Sequence, residues 1–188
     1  GHIQIHAEGY WENKSINNTL VSKDELINTL EKNKNVKQVV PRLESFALGS
    51  SGPKTKGVLV MGIAPEKQDQ MSKLSGKIIE GEYFQRGDNA VLLGSKLSEY
   101  LDVGVNDTIV LLSQGFHGAT AAGKYRISGI VDIPKPDLDN KLVYLPLSTA
   151  QQMYMAYNRL TTIAVNLYDH KDLGKTIEQF EKELPEEK

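Results

Sequence analysis

Apolar and polar positions along the chain repeat with two periods: two residues, which is typical of strands, and 3.6 residues, which is typical of helices. From Ile3 to Glu8, apolar side chains alternate with polar ones, which predicts a half-buried strand near residues 2–11. Ser22 and Glu25 have the spacing of a capping box, in which each side chain bonds the other residue's backbone N–H. A helix is therefore expected to begin at Ser22.

A long hairpin is predicted after this helix. Residues 36–48 and 56–63 are rich in β-branched and apolar side chains, and residues 49–53 between them carry two glycines and a proline. These features predict two antiparallel strands joined by a turn.

The last third of the chain repeats the order strand, helix, strand, helix. Strands are predicted at residues 141–145 and 161–168, and a second capping box from Ser148 to Gln151 predicts a helix that continues through Met155. The final helix is predicted from an apolar stripe at spacings of four, three and four: Leu173, Ile177, Phe180 and Leu184.

The middle of the chain, residues 77–132, has β-rich runs, tight turns and one short helix near residues 95–101. The predicted fold class is α+β, a discontinuous split-βαβ subdomain interrupted by an inserted β-rich subdomain. We place the first subdomain at residues 1–72 plus 137–188 and the second at residues 73–136. The Pro, Gly and Asp residues at 72–77 and 132–140 predict hinges between the two.

Three segments stand in an order that resembles a known family. They read VLLGSKLSEYLDVGVNDTIVLL at 91–112, GKYRISGIV at 123–131 and LVYLPLSTAQQMY at 142–154, with GHIQIHAEGY opening the chain. The chain resembles the MacB-like periplasmic core domain of ABC-transporter permeases of the MacB, FtsX and LolC/LolE kind. In that family the two subdomains look like the porter and sabre subdomains.

The resemblance implies an extracytoplasmic, non-catalytic domain on the periplasmic side of a bacterial inner membrane. Membrane helices would precede Gly1 and follow Lys188, and they would link the domain to a cytoplasmic ABC ATPase. Other implied partners are a second permease subunit and a periplasmic protein or lipoprotein. The family includes lipoprotein release, efflux and control of cell-wall hydrolases, among which the residues do not choose.

Composition narrows the function further. A net charge of −2, from 22 basic and 24 acidic residues, provides no basic patch for nucleic acid. The absence of cysteine excludes disulfides and thiol catalysis. The longest apolar runs fall far short of the roughly 18 residues needed to span a bilayer.

No candidate cofactor or metal site passes a test of spacing and context, so none is predicted. Residues 118–124 have the spacing of a P-loop, but Tyr125 replaces the required hydroxyl residue and the following segment alternates like a strand. His2 and His6 are about 13 Å apart on a strand, too far for one metal ion. Asp137 and Asp139 lack the glycine and distal glutamate of a calcium loop, and turn chemistry explains them better.

Two other classes of function stay open at this level. In a periplasmic ligand-binding module for sugar or peptide, Tyr10, Trp11 and Phe116 would line a pocket, although packing is the favoured role for the pair at 10–11. In a periplasmic hydrolase, two carboxylates would form a catalytic dyad, but the sequence singles out no pair.

Residues 113–123 are the candidate partner contact. A tight hairpin needs a connection of two to five residues, whereas this one is about twice as long, poor in charge and carries an aromatic ring. The residues assigned to partner contact are Gln114, Phe116, His117 and Thr120. The alternative is a loop folded onto its own subdomain with Phe116 buried.

Overall fold

The structure, a computed structural model, describes residues 2–6, 20–21 and 24–183. The strands are β1 (His2–Ile5), β2 (Leu20–Val21), β3 (Val36–Ser51), β4 (Lys54–Ile63), β5 (Ile78–Gly81), β6 (Ala90–Gly94), β7 (Thr108–Gln114), β8 (Thr120–Val131), β9 (Leu142–Pro146), β10 (Arg159–Leu160) and β11 (Thr162–Leu167). The helices are α1 (Asp24–Glu31), α2 (Pro65–Ser72), α3 (Ser95–Leu101), α4 (Pro136–Asp139), α5 (Leu147–Met153) and α6 (Leu173–Glu183).

The strand β3 is the longest element and organises the fold. At 16 residues it extends about 50 Å, given a rise of roughly 3.3 Å per residue. It pairs with β4 in register from Arg42↔Ile63 to Ser51↔Lys54. Gly52, at φ +56°, forms the turn in the left-handed conformation that glycine adopts most readily. The predicted hairpin is confirmed, with strands that extend three residues further on β3 and two on β4.

Nine strands form one sheet, in the order β1-β11-β3-β4-β9-β6-β8-β5, with β7 bonded to both β3 and β8. Because β7 returns to β3, six strands close into a ring: β3, β4, β9, β6, β8 and β7. Two junctions close it across the predicted subdomain boundary, Leu92↔Tyr144 between β6 and β9 and Leu48↔Leu112 between β3 and β7.

The interior of the ring holds the largest apolar cluster, here called the ring core. Val58 from the first part of the chain, Leu93 and Ile127 from the middle segment and Leu145 from the last third are all buried in it. A hinge between the two predicted subdomains would separate these side chains and break the two junctions. The structure therefore argues against hinge motion, while the subdomain boundaries themselves stay a prediction.

Two further clusters cover the remaining sheet surfaces. Near the start of β3, helices α1 and α6 pack Leu30 and Phe180 against Val39 and Val165. On the outside of the ring, Phe84 and Leu74 cover β4, β6 and β9.

Three local predictions are wrong. The capping box at 148–151 does not form: α5 begins one residue earlier without a side-chain cap, and the Gln151 amide donates to the Arg159 carbonyl instead. The same helix ends at Met153, because Met155 has a left-handed backbone at φ +53°. In α6 the apolar stripe is broken, since Thr176 is buried and Ile177 is exposed. Ser22 and Leu184 lie outside the described residues.

Asp139 anchors the connection that returns from the middle segment. Its buried carboxylate accepts hydrogen bonds from the N–H and hydroxyl of Ser95 and the N–H groups of Lys96 and Ile133, at 2.5–3.0 Å. Burial alone would raise the pKa of Asp139, but these hydrogen bonds outweigh it and lower the pKa below 3.8. The residue that sequence assigned to turn chemistry thus fixes the first turn of α3.

Candidate functional site

The outer surface of the ring is uncovered at the far end of β3, opposite to the α1–α6 end. There Phe46 and Leu48 of β3 are 57% and 50% exposed, and Val110 and Leu112 of β7 are 40% and 47% exposed. Single exposed apolar residues are common on soluble proteins, whereas contiguous ones mark interaction surfaces. We call this surface, with the outward side chains of β8 beside it, the exposed strand face.

Strand pairing explains why these side chains form one surface. Leu48 is directly opposite Leu112, and Leu112 is opposite Ala122 of β8. On the other side, Leu48 is opposite Gly57 of β4. Since residues directly opposite each other point to the same side of a sheet, the two leucines stand side by side between a glycine and an alanine. The small neighbours leave both leucines without lateral cover.

The structure places two of the four predicted contact residues on this same surface. Gln114 and Thr120 are a pair at the end of the β7–β8 ladder, and both are exposed. The hydroxyl of Ser113 donates to the Phe46 carbonyl at 2.5 Å, which ties the end of β7 to the exposed part of β3. Gln114 and Thr120 therefore extend the exposed strand face toward the hairpin tip.

The predicted long loop at 113–123 is wrong in extent, because most of it is strand. β7 continues to Gln114 and β8 begins at Thr120, so the connection has five residues. His117 is exposed at its tip, with φ at +60°. The Phe116 side chain lies outside the described part of the structure. The alternation of buried and exposed side chains in residues 108–112 continues to Gln114 and resumes at Thr120. Most of the residues involved are small, so the sequence pattern does not indicate a strand there.

The base of the tip packs against the segment that follows α5. Gly115 is buried, and a Cβ added there would be 2.8 Å from the Tyr154 carbonyl oxygen. Tyr154 fills the ring core beneath, where burial raises the pKa of its hydroxyl. Burial likewise raises the pKa of Tyr125. Both hydroxyls therefore stay neutral near pH 7 and support the face by packing.

Two basic side chains lie on the exposed strand face, and both come from β8. Lys124 is opposite Val110 and Arg126 is opposite Thr108, so both point to the same side as Leu112. The partly exposed Glu44 continues the alternation of Phe46 and Leu48 toward the near end of β3. Lys56, which is opposite Gly49, points to the other side of the sheet, where its ammonium lies 4.9 Å from the ring centroid of Tyr100 on α3. Apolar side chains with Lys124 and Arg126 beside them suit a partner that presents apolar anchors next to acidic groups.

The described part of the chain shows neither a cluster of metal ligands nor a helix after the P-loop-like segment. No group of three His, Asp or Glu side chains there has the arrangement to hold a metal ion. Lys124 and Tyr125 of the P-loop-like segment lie in β8, where the phosphate-binding motif would require a helix. Tyr10 and Trp11, proposed for the alternative pocket, lie outside the described residues. None of the described helices is long and apolar enough to cross a bilayer.

Relatives of this chain are found among lipoprotein-releasing permeases. It is 29% identical over 138 residues to the lipoprotein-releasing system transmembrane protein LolC of Xylella fastidiosa, an alignment covering 69% of this chain and 32% of LolC. It is 27% identical over 149 residues to LolE of Haemophilus influenzae, covering 74% and 35%. The chain thus spans about a third of the length of the curated relatives it matches.

Solved structures share the fold. The periplasmic region of MacB from Actinobacillus actinomycetemcomitans matches with a TM-score of 0.67 at 18% identity, covering 97% of this chain and 83% of that one. The extracellular domain of the noncanonic ABC-type transporter YknZ from Gram-positive bacteria matches with a TM-score of 0.65 at 16% identity, covering 94% and 88%. The sequence model of the MacB-like periplasmic core domain covers residues 1–183, and the chain belongs to that family of ABC-transporter permease domains.

Proposed function

We propose that this chain is the non-catalytic periplasmic domain of a permease subunit that couples the motions of a cytoplasmic ATPase to transport or lipoprotein release. The exposed strand face would contact a periplasmic protein or lipoprotein, with Gln114, Phe116, His117 and Thr120 at its distal border. The exposed pair Leu48 and Leu112 carries the proposal. The two adjacent leucines are half exposed to water, and a partner that covered them would gain favourable free energy by removing this apolar surface from water.

A coupling role is further supported by how the face is held. Ile109 and Leu111, which alternate with Val110 and Leu112 on β7, are fully buried in the ring core. A partner bound to the outside would therefore push on a packed structure. Asp139 is ionised at neutral pH with its oxygens already bonded, which makes it unsuitable as a general acid.

The decisive test places two acidic residues on the face in the full-length permease. Leu48→Glu/Leu112→Glu should abolish transport in reconstituted membranes while ATP hydrolysis continues, because the coupling surface is lost but the ATPase is intact. The matched control is Ile79→Glu, which changes a side chain 58% exposed on β5 and should leave transport unchanged.

The two variants also need a stability check on the isolated domain. Substitutions at exposed positions change stability by about 0.5 kcal/mol or less, so the melting temperature of each should stay within about two degrees of wild type. Normal transport by the Leu48→Glu/Leu112→Glu permease would contradict the proposal, whatever the control does.

Phe116→Ala tests the border of the face separately. If the ring contacts a partner, transport should fall and the melting temperature should stay within a degree or so; if the ring is buried in its own loop, the melting temperature should drop by several degrees. A large drop with normal transport would remove Phe116 from the contact surface and leave the leucine pair to be judged by its own variant.

A further inference from the structure

The first half of β4, residues 54–58, has one edge that no described strand covers. The strand β9 pairs with β4 only from Leu59 onward, where the Leu59 N–H donates to the Lys141 carbonyl at 2.8 Å. On the other edge, residues 54–58 pair with β3 along their whole length. Within the described ranges this segment is therefore an edge strand that begins where β9 stops, and we call it the β4 edge.

The direction of the backbone groups shows what the β4 edge offers. Backbone groups of successive residues in a strand point alternately to its two edges. The Leu59 N–H points toward β9, so the N–H and C=O groups of Gly57 and Thr55 point to the same edge. Both residues are exposed, and no described residue forms a hydrogen bond with these four groups. They are placed to bond one more strand.

The usual obstacles to strand addition are absent from the β4 edge. Proteins block exposed edges with lysine side chains, with bulges or with very short strands. The pairing of β4 with β3 has no register shift, and the Lys56 ammonium lies over the Tyr100 ring on the inner side. A Cβ added at Gly57 would meet nothing within 4 Å, so the backbone there is open. The edge strand β5, in contrast, has four residues and a register shift.

We propose that an extended segment of a partner protein adds to the β4 edge as a further strand. This inference rests on the proposed function and deepens it, because it names the kind of partner segment that meets the exposed strand face. Backbone hydrogen bonds to Thr55 and Gly57 would supply the affinity, as in other cases of strand addition.

The side chains beside the β4 edge set the pattern of the partner segment. Gly57 is opposite the half-exposed Leu48, and the added strand would lie about 10 Å from Leu48, two strand spacings away. An apolar side chain of the added strand would cover Gly57 and contact Leu48. Its neighbours would point to the inner side, toward Lys56 and Tyr100, which favours polar residues there. The segment should therefore alternate apolar and polar residues.

Amide hydrogen exchange of the domain, followed by NMR, tests whether the edge is free. The amides of Thr55 and Gly57 should exchange at least about tenfold faster than the amide of Lys56, which points to β3. Equally slow exchange at all three amides would show that the edge is already covered and would overturn the proposal.

Binding is tested with a panel of acetylated heptapeptides that carry Val, Leu or Phe at every second position and Thr or Asp between them. At least one should bind and slow the exchange of the Thr55 and Gly57 amides. N-methylation of alternate peptide amides should weaken this binding by at least about tenfold, because the methyl groups remove donors and block pairing.

Thr55→Pro makes the same test from the side of the protein. It removes an N–H that points away from β3, a position where an edge strand tolerates proline, and it should weaken peptide binding by at least about tenfold. The matched control, Thr55→Val, keeps the N–H and should bind like wild type. If Thr55→Pro lowers the melting temperature strongly, the N-methylated peptides decide the question on the wild-type domain.

Three results would overturn the proposal: no peptide of the panel binds, binding is indifferent to N-methylation, or the domain forms a dimer that Thr55→Pro abolishes. The last result would assign the β4 edge to a second copy of this chain. In each case, loss of transport in Leu48→Glu/Leu112→Glu would still support the proposed function, so the two failures are distinguishable.

Discussion

The two halves of β3 differ in how they are covered, although both belong to the same hydrogen-bonded sheet. The near half, around Val39 and Val40, pairs with β11 and is buried under helices. The far half, from Phe46 onward, pairs with β4 and β7 and leaves its outer face open. Strand formation therefore does not decide where the protein is available for contact. The helices decide it, because they cover one end of the sheet and stop short of the other.

The largest effect should come from removing the same side chain in two places on β3. Leu43 is 1% exposed and Leu48 is 50% exposed. Leu43→Ala should cost about 2–5 kcal/mol and lower the melting temperature by several degrees, because it leaves a cavity in the ring core. Leu48→Ala should cost about 0.5 kcal/mol or less. Thermal unfolding of both variants checks this, and similar losses would mean that the far face is packed.

Asp139→Asn should have the next largest effect, because α3 supports the inner side of the far end. Leu97 and Leu101 of α3 pack in the ring core, and Asp139 holds the first turn of this helix. An amide in its place offers one oxygen to several donors, and we expect a loss of about 2–3 kcal/mol in denaturant unfolding. The neighbouring exposed carboxylate provides the control, since Asp137→Asn should be nearly neutral.

The same variant should change the response to acid. The folded-state pKa of Asp139 lies below its unfolded value, so its contribution is complete above about pH 4 and is lost as pH falls through the lower, folded pKa. The stability difference between wild type and Asp139→Asn should therefore shrink in that window. A difference that stays constant down to pH 2 would show that the ionised carboxylate is unimportant.

A smaller effect is expected from two glycines on β4. A Cβ at Gly62 would be 2.5 Å from the Ala150 Cβ of α5, whereas one at Gly57 would meet nothing within 4 Å. Gly62→Ala should cost about 1–2 kcal/mol by forcing α5 off the sheet, and Gly57→Ala should be neutral or slightly stabilising. Unfolding curves that showed Gly57→Ala to be the more damaging would reverse the comparison between the two ends.

Local features of the fold were predictable from the sequence. The β3–β4 hairpin has two apolar runs around a Gly-Pro turn, and α3 was placed at residues 95–101, where it is found. The helix α2 was missed because its sequence has few apolar residues; it is held on the sheet by polar contacts such as Arg42 to Gln68 at 2.9 Å. Such contacts leave no periodic signal.

Closure of the ring and the exposed strand face were not predictable. The β6–β9 and β3–β7 junctions join residues 50 or more positions apart, and no local pattern encodes such pairings. Leu48 and Leu112 read as ordinary strand residues, because the sequence does not say which face a helix will cover. The contact residues predicted within 113–123 adjoin the face, because β7 and β8 lead from it directly into the hairpin tip.

The length of β3 has a mechanical consequence. Its register pairs number ten with β4, six with β11 and three with β7, and they are spread over the whole strand. A pull between its two ends would load these backbone bonds in shear and at the same time, instead of opening them one after another from a frayed edge. Force applied near Val36 would therefore be transmitted to Ser51, about 50 Å away, with little extension of the strand.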